Sequence, residues 1–578
     1  MRNTPRTAAG LLTVLLIAQT GNAWAFPFID AGNRDNAPTG APLGTELPET
    51  DAKGLRRQQR LTIPGAPGNP SAWTIVPRLT IQEQITDNAL EVTAPRRPDL
   101  RTTIEPGISI TANTARIDLK FDYAPSLAFH AVNGPLNGIT QQLNATGQVT
   151  VVPDLMFVDV RGVAGVQSRL GAMAGGGTLG SAASTGANFA GGGQGLNRQN
   201  AVQTTSFGVS PYLLKKFSDY GTAKFGVSAD VSRSSQVTGF AASPFPTGSG
   251  AGAQNLLTTE QIASFTTGEA LGRLQNTLSF NMSQSQSKGT FATGATTAAT
   301  SAAFTSRRMT LNNQVSYALN RTFTLLASIG QQEIQYSQNN APNIKGLTWN
   351  AGVTVTPGPD SSITVTYGHL NGTNSLAVNG KVALTGLTTL SFDYSNTIGT
   401  QLENLQNQLN NTVIGANGQA INAVTGGQQF GATNGLGVQN GVFRYDTLNI
   451  SLSTAVERGT IQANATWSIQ TGAGGANSGN NSDIKTLSLS WNRQLWPDLT
   501  LSTSASYSLI KRSGSAAAAA GGTSGGTDKS ISGSVGLQYT VSESTTLTGR
   551  YTFFDRTSRI PGYGLYENIL LLALTKQF

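Results

Sequence analysis

The sequence predicts an all-β fold, a transmembrane antiparallel up-and-down β-barrel of about 22 strands (18–22), with short turns at one end and long loops at the other. Three observations predict it. Short segments alternate apolar and small polar residues with period 2. Tight turns and long Gly/Ser/Ala/Asn loops take strict turns along the chain. The sequence closes on an amphipathic strand that ends in Phe578.

The N-terminus sets the compartment. Residues 1–25 carry Arg2 and Arg6, an apolar run at 11–18, and small residues at Ala23 and Ala25. That order is the pattern of a secretory signal peptide cleaved before Phe26. The apolar run is too short to span a bilayer as a helix. Residues 26–70 are rich in Pro, Gly and Asn and show no apolar period, so they read as an extended periplasmic segment. It is much shorter than the folded plug expected of a ligand-gated outer-membrane transporter.

Composition separates the remainder, 71–578, from an ordinary soluble protein. Over the whole sequence charged residues make up 12%, about half the usual share for soluble domains, and there are 67 glycines and no cysteine. No stretch after the leader approaches the length of a membrane helix. A polar, uncharged, glycine-rich chain is either disordered or a barrel, and periodicity separates the two.

In 499–509 the set Leu499, Leu501, Thr503, Ala505, Tyr507 and Leu509 opposes Thr500, Ser502, Ser504, Ser506 and Ser508. Ile461, Ala463, Ala465, Trp467 and Ile469 oppose Gln462, Asn464, Thr466, Ser468 and Gln470 in the same way. Two such faces, one apolar and one polar, fit a strand between lipid and water. Tight connections fall at 151–155, 319–322, 356–362, 455–460, 495–500 and 540–546, and long loops at 169–203, 237–258, 287–304, 399–440 and 512–527. Helices are expected to be essentially absent. Trp349, Tyr367, Tyr394, Trp467, Trp491, Tyr507, Tyr539 and Tyr551 recur in the apolar sets, as interfacial girdles require. In the last strand Leu570, Leu572, Leu574 and Phe578 share a face, the form of a C-terminal signal for the barrel assembly machinery.

If the apolar set meets lipid, the other set lines a lumen of Ser, Thr, Asn and Gln. Its early strands carry the charges Arg101, Glu105, Arg116, Asp118, Lys120, Asp122, Asp159 and Arg161. Mixed signs on neighbouring strands favour ion-pair ladders that stiffen the wall over a constriction that orients solute. Catalysis has little support. His130 and His369 have no metal-ligand spacing, no serine sits in a nucleophile turn, and the glycine runs lack a phosphate-loop lysine. The sequence therefore predicts no enzyme, cofactor, metal site or nucleic-acid partner. Its expected surroundings are outer-membrane lipid and lipopolysaccharide.

The opening strands, "WTIVPRLTIQEQITDNALEV" (73–92), "TTIEPGISITANTARIDLKFDYAPSLAFH" (102–130) and "LNATGQVTVVPDLMFVDV" (143–160), resemble the outer-membrane β-barrel proteins associated with the PEP-CTERM/exosortase system. The hairpins "VSYALNRTFTLLASIG" and "LTWNAGVTVTPGPDSSITVTYGH" resemble the same family. The resemblance implies an outer-membrane pore that exports or anchors exopolysaccharide, with polysaccharide and periplasmic export components as partners. It carries over no catalytic residue. Two other readings stay open: a general porin for small polar solutes, and a non-conducting surface scaffold or adhesin.

Overall fold

The computed structural model describes residues 72–168, 178–179, 201–236, 254–292, 299–338, 340–410, 412–414, 420–422, 441–474, 481–513, 525–559 and 564–578. The expected leader 1–25 and segment 26–70 lie outside them, as do the central parts of the five long loops.

Twenty-two long strands follow one another: β1 (Trp73–Thr86), β2 (Asp99–Asn113), β3 (Ile117–His130), β4 (Gly138–Val152), β5 (Met156–Ser168), β6 (Ala201–Phe217), β7 (Gly221–Gln236), β8 (Gln254–Thr267), β9 (Leu274–Ala292), β10 (Ala299–Ala318) and β11 (Phe323–Tyr336) form the first half. The second half is β12 (Ile344–Gly358), β13 (Ser361–Leu370), β14 (Thr373–Thr385), β15 (Thr388–Thr400), β16 (Val442–Val456), β17 (Gly459–Gly474), β18 (Asn481–Trp496), β19 (Leu499–Ser513), β20 (Gly525–Ser542), β21 (Thr545–Ser558) and β22 (Leu565–Gln577). Each pairs antiparallel with its sequence neighbours, and β1 closes on β22 from Arg78↔Gln577 to Thr86↔Ile569. Closure leaves no unpaired edge, which a sheet in hydrocarbon needs, because lipid offers no hydrogen bonds to backbone groups.

Exposure assigns the faces. Leu570 and Leu572 are each 54% exposed, whereas Ile569 and Leu571 are 2% and 5%. On β18, Leu487 and Leu489 face out while Thr486 and Ser490 are buried on the inner wall. The apolar set therefore faces lipid and the hydroxyl set faces the lumen, as the alternation requires. Trp349, Tyr367, Trp467, Tyr507, Tyr539 and Tyr551 are all on the outer face, and Trp349 meets Tyr367 edge-on at 5.9 Å. The terminal Phe578 is exposed, and its backbone N–H donates to the Pro77 carbonyl beside the closing ladder.

The two ends differ as the turn lengths predict. At one end the turns are tight: Pro153–Leu155 between β4 and β5, Glu457–Arg458 between β16 and β17, Pro497–Asp498 between β18 and β19. Asp154 and Arg458 take positive φ there. The long loops leave from the other end, where every connection is of six residues or more with one exception. β13 and β14 are joined there by Asn371–Gly372 alone, both with positive φ, the Asn-Gly pair that a type I′ hairpin turn favours. The end with the tight turns is the turn end of the barrel, and the other is its loop end.

Among the described residues, besides the short 3-10 turns Gly134–Leu136 and Glu269–Leu271, one α-helix departs from the all-strand expectation. A helix, α1 (Gln401–Asn410), follows β15 at the loop end. Its start is a capping box: Thr400 Oγ1 accepts the Glu403 N–H, and Glu403 Oε2 accepts the Thr400 N–H at 2.8 Å. The signal is local, Thr-x-x-Glu, and two-faced strand periodicity is blind to it.

Candidate functional site

The candidate site is the inner wall and the segment that folds into it. Most of the wall is hydroxyl pairs bridging adjacent strands: Ser206 with Ser232 at 2.9 Å, Ser504 with Ser534 at 2.8 Å, Ser506 with Ser532 at 2.6 Å, Thr354 with Thr364 at 2.9 Å. Such groups satisfy one another and still present lone pairs to a solute.

The inner charges are tied down in pairs with a repeated construction. Arg78 on β1 reaches across β2 to Asp122 on β3 with two bonds of 2.7 and 2.8 Å. The residue beneath it on β2 is Gly107, where an added Cβ would lie 2.8 Å from the guanidinium. Arg161 on β5 reaches over Gly208 of β6 to Asp230 on β7 at 2.6 Å, and a Cβ there would strike both partners. Arginine, glycine and aspartate on three successive strands thus let a planar guanidinium lie flat on the sheet and meet its carboxylate with two bonds, through both oxygens at Arg78–Asp122 and through Oδ1 alone at Arg161–Asp230. Near the loop end Asp528 on β20 takes both Arg512 of β19 at 2.5 Å and Arg556 of β21 at 2.6 Å.

Asp528, Arg512 and Arg556 are almost fully buried, so removing the shared carboxylate strands two cations. Asp528→Asn is expected to cost about 3–5 kcal/mol, the usual penalty for breaking a buried pair. The temperature at which the folded, fast-migrating gel band converts to the unfolded one measures it. An unchanged conversion temperature would show that the triad is already hydrated.

The structure distributes the sequence-predicted charges rather than gathering them. Arg101 donates to the Gln84 side chain at 2.5 Å, Glu105 accepts from Ser126 Oγ at 2.9 Å, and Asp159 accepts from Gln148 at 3.2 Å. Asp118 and Lys120 lie on the inner face of β3 with Asp122. Arg116 stands in the exposed turn between β2 and β3, short of the wall. Arg78 and Asp230, the partners of the predicted Asp122 and Arg161, are absent from the predicted set because each lies two strands away across a glycine, and the triad around Asp528 lies on late strands outside that set. His130 Nδ1 lies 3.1 Å from Asp99 near the loop end, and His369 Nδ1 lies 2.8 Å from Asn374. Among the described residues no group of three or more His, Cys, Asp or Glu is placed to hold a metal ion.

The largest departure from a plain cylinder lies at the loop end of β15 and β16. β15 pairs with β14 only as far as Val378↔Tyr394, and above that its last residues pair with β16 alone. This free end tucks inside the barrel. Arg308, on the inner face of β10, donates to the Ile398 carbonyl at 2.7 Å, and Ile398 and Val442 pack against Ile334 on the inner face of β11. Arg444 of β16 donates to Thr373 at 2.7 Å and to the Asn371 carbonyl at 3.2 Å, at the tip of the β13–β14 hairpin. That tip is held in turn by Gln332 of β11, which accepts the Asn371 N–H at 3.0 Å.

The register explains the fold-in. Leu390, Phe392 and Tyr394 on β15 and Leu452, Ile450 and Leu448 on β16 form the lipid face. Continued upward, the same face carries Asn396, Ile398 and Thr400 against Asp446, Arg444 and Val442. Asn396 donates to Asp446 at 2.6 Å. A lipid face that turns polar cannot stay against hydrocarbon, and the strand pair instead presents it to the polar inner wall. α1 continues the intrusion: Leu402 and Gln406 are buried, Gln406 Oε1 accepts from Thr258 of β8 at 2.7 Å, and Ser306 of β10 donates to Glu403. Strand ends and helix together form an internal tongue reaching from β15 and β16 to the walls of β8 and β10.

The chain matches no family model, and no curated protein matches it. Among solved structures it is similar to the FrpB iron transporter of Neisseria meningitidis in its apoprotein form, with a TM-score of 0.50 and 10% identity over 88% of this chain and 82% of that one. It is also similar to the siderophore receptor PirA of Pseudomonas aeruginosa, with a TM-score of 0.42 and 12% identity over 87% and 80%. The open form of the ferric-catecholate import receptor Fiu of Escherichia coli gives 0.47 and 10% over 87% and 82%. At such identity the FrpB likeness is one of fold: this chain folds as a closed 22-strand barrel of the outer-membrane type.

Proposed function

We propose that this protein is a non-enzymatic outer-membrane pore that exports or anchors a neutral exopolysaccharide alongside a PEP-CTERM/exosortase-type system, with the internal tongue as its constriction. The observation that carries this reading is the inner wall: mostly hydroxyls and amides, with Arg78 paired to Asp122, Arg161 paired to Asp230, and Arg512 and Arg556 sharing Asp528. A sugar chain exchanges hydrogen bonds with such a wall at nearly constant energy along its length, so it is held weakly enough to move. The resemblance of the opening strands supplies the association with exopolysaccharide.

The docking of the tongue on β8 and β10 favours a second reading, a non-conducting scaffold that displays its loops. A chromosomal deletion separates the readings. Loss of cell-surface polysaccharide, restored by the wild-type gene, is expected. Intact polysaccharide with slowed uptake of small polar solutes would assign a porin, and intact polysaccharide with unchanged permeability would assign the scaffold.

A further inference from the structure

The outer wall carries a feature that the lumen does not explain. Lys485 on β18, Lys511 on β19 and Lys529 on β20 are exposed on the lipid-facing side near the loop end. Lys485 stands opposite Leu509, and Leu509 opposite Lys529, so the two lysines share one level of the sheet, two strands and roughly 10 Å apart. Lys511 lies between them, one step nearer the loops. Below them the same face is apolar, with Leu487, Tyr507 and Ile531 exposed in that order of strands.

The level of these lysines follows from strand geometry. From Lys529 down to Tyr539 the chain covers roughly 25 Å along the barrel axis at ordinary rise and tilt, the height of an outer-membrane apolar band. The lysines therefore stand at one headgroup layer and Tyr539 at the other. Lys485 is held over the Trp467 ring at 5.1 Å and lies 3.4 Å from Asp483, whose other oxygen accepts the Trp467 indole N–H at 2.8 Å. Asp483 stands opposite Lys511 in register, yet its carboxylate is engaged by Trp467 and Lys485, and Asp555 lies one strand beyond Lys529, opposite Ile531. Lys511 and Lys529 form no ion pair among the described residues.

We propose that this face binds a phosphorylated glycolipid of the loop-side leaflet, its phosphates on Lys485, Lys511 and Lys529 and its acyl chains on the apolar strip below. Charge complementarity selects an anionic head, and three lysines spread over three strands and two levels favour one that carries more than one phosphate. The tryptophan beside Lys485 offers an apolar plate to a sugar ring. The proposal is independent of what passes through the lumen.

The test uses the mature full-length chain in detergent micelles, titrated with diphosphorylated lipid A, monophosphorylated lipid A and phosphatidylglycerol, with the bound lipid counted by native mass spectrometry. Affinity for diphosphorylated lipid A should fall by about fivefold for each lysine changed to Gln, and triple replacement by Arg should restore it. Monophosphorylated lipid A should bind more weakly to the wild type and lose less in the variants. Wild-type affinity in the triple Gln variant, or phosphatidylglycerol bound as tightly as diphosphorylated lipid A, would overturn the proposal. If the triple variant assembles poorly, the single variants Lys511→Gln and Lys529→Gln, neither of which breaks an ion pair, decide the question by the same fivefold loss or its absence.

Discussion

Cutting the chain after Thr400, removing 401–440 and rejoining at Gly441 should raise single-channel conductance in planar bilayers severalfold and sensitise cells to large antibiotics. A lumen bounded by 22 strands is wide enough to need filling, and α1 enters it from the end of β15. Its bonds to Thr258 of β8 and Ser306 of β10 tie that end to wall strands seven and five places away, so losing it opens the space between them. The strand ends that carry it stay in place through Arg308 and Ile334. A second variant, Arg308→Ala, releases the strand ends and leaves the helix sequence intact, and it should raise conductance less. If the deletion conducts as the wild type does, the tongue is not the constriction.

Leu489→Arg should block assembly where Ser490→Arg does not. The two residues are neighbours on β18 and differ only in the face they occupy. Leu489 is 51% exposed toward lipid, flanked in register by Ala463 and Ala505, with nothing acidic to meet it. It lies midway between Lys485 and Arg493, near the centre of the apolar band. A lipid-facing arginine at that depth costs about 2–4 kcal/mol, while an arginine that reaches into a wet lumen stays hydrated. Leu572 is equally exposed and a poorer choice, because Glu83 stands opposite it and would pair with an introduced arginine. The measurement is the fraction of heat-modifiable protein in the membrane, and equal fractions for the two variants would reverse the face assignment.

The fold was largely legible in the sequence because a barrel wall has only two environments, and they alternate residue by residue. The strand from Leu499 and the one from Gly459 show both faces without interruption, and the turns at 319–322 and 540–546 fall where the chain reverses. The tongue was not legible by the same rule, since a period-2 count scores Asn396–Ile398–Thr400 as one more stretch of strand. The informative signal was a change of character along one face: Leu390, Phe392 and Tyr394 give way to Asn396, and Leu448 gives way to Asp446 and Arg444. The capping box Thr400–Glu403 then marks where the strand ends and a helix begins. The ion pairs were half legible. Alternation points Asp122 and Arg161 inward, but their partners depend on register and on a glycine in the strand between them, which a single strand read alone cannot supply.

The two-residue Asn371–Gly372 turn changes the shape of the mouth. β13 and β14 stop short, and the upper part of β15 withdraws inside, so three staves of the wall are missing at the rim. The gap is drawn shut from either side, with Ala341 of the β11–β12 connection and Ala473 of β17 both packing on the Ile334–Ile398–Val442 cluster. At about 4.8 Å per strand the rim loses roughly 15 Å of perimeter, and the vessel tapers toward its loop end. Anything leaving through that end passes a collar narrower than the shaft below it, and the collar is fastened by side-chain packing rather than by a continuous ladder of backbone bonds. Widening it therefore requires no strand to unzip.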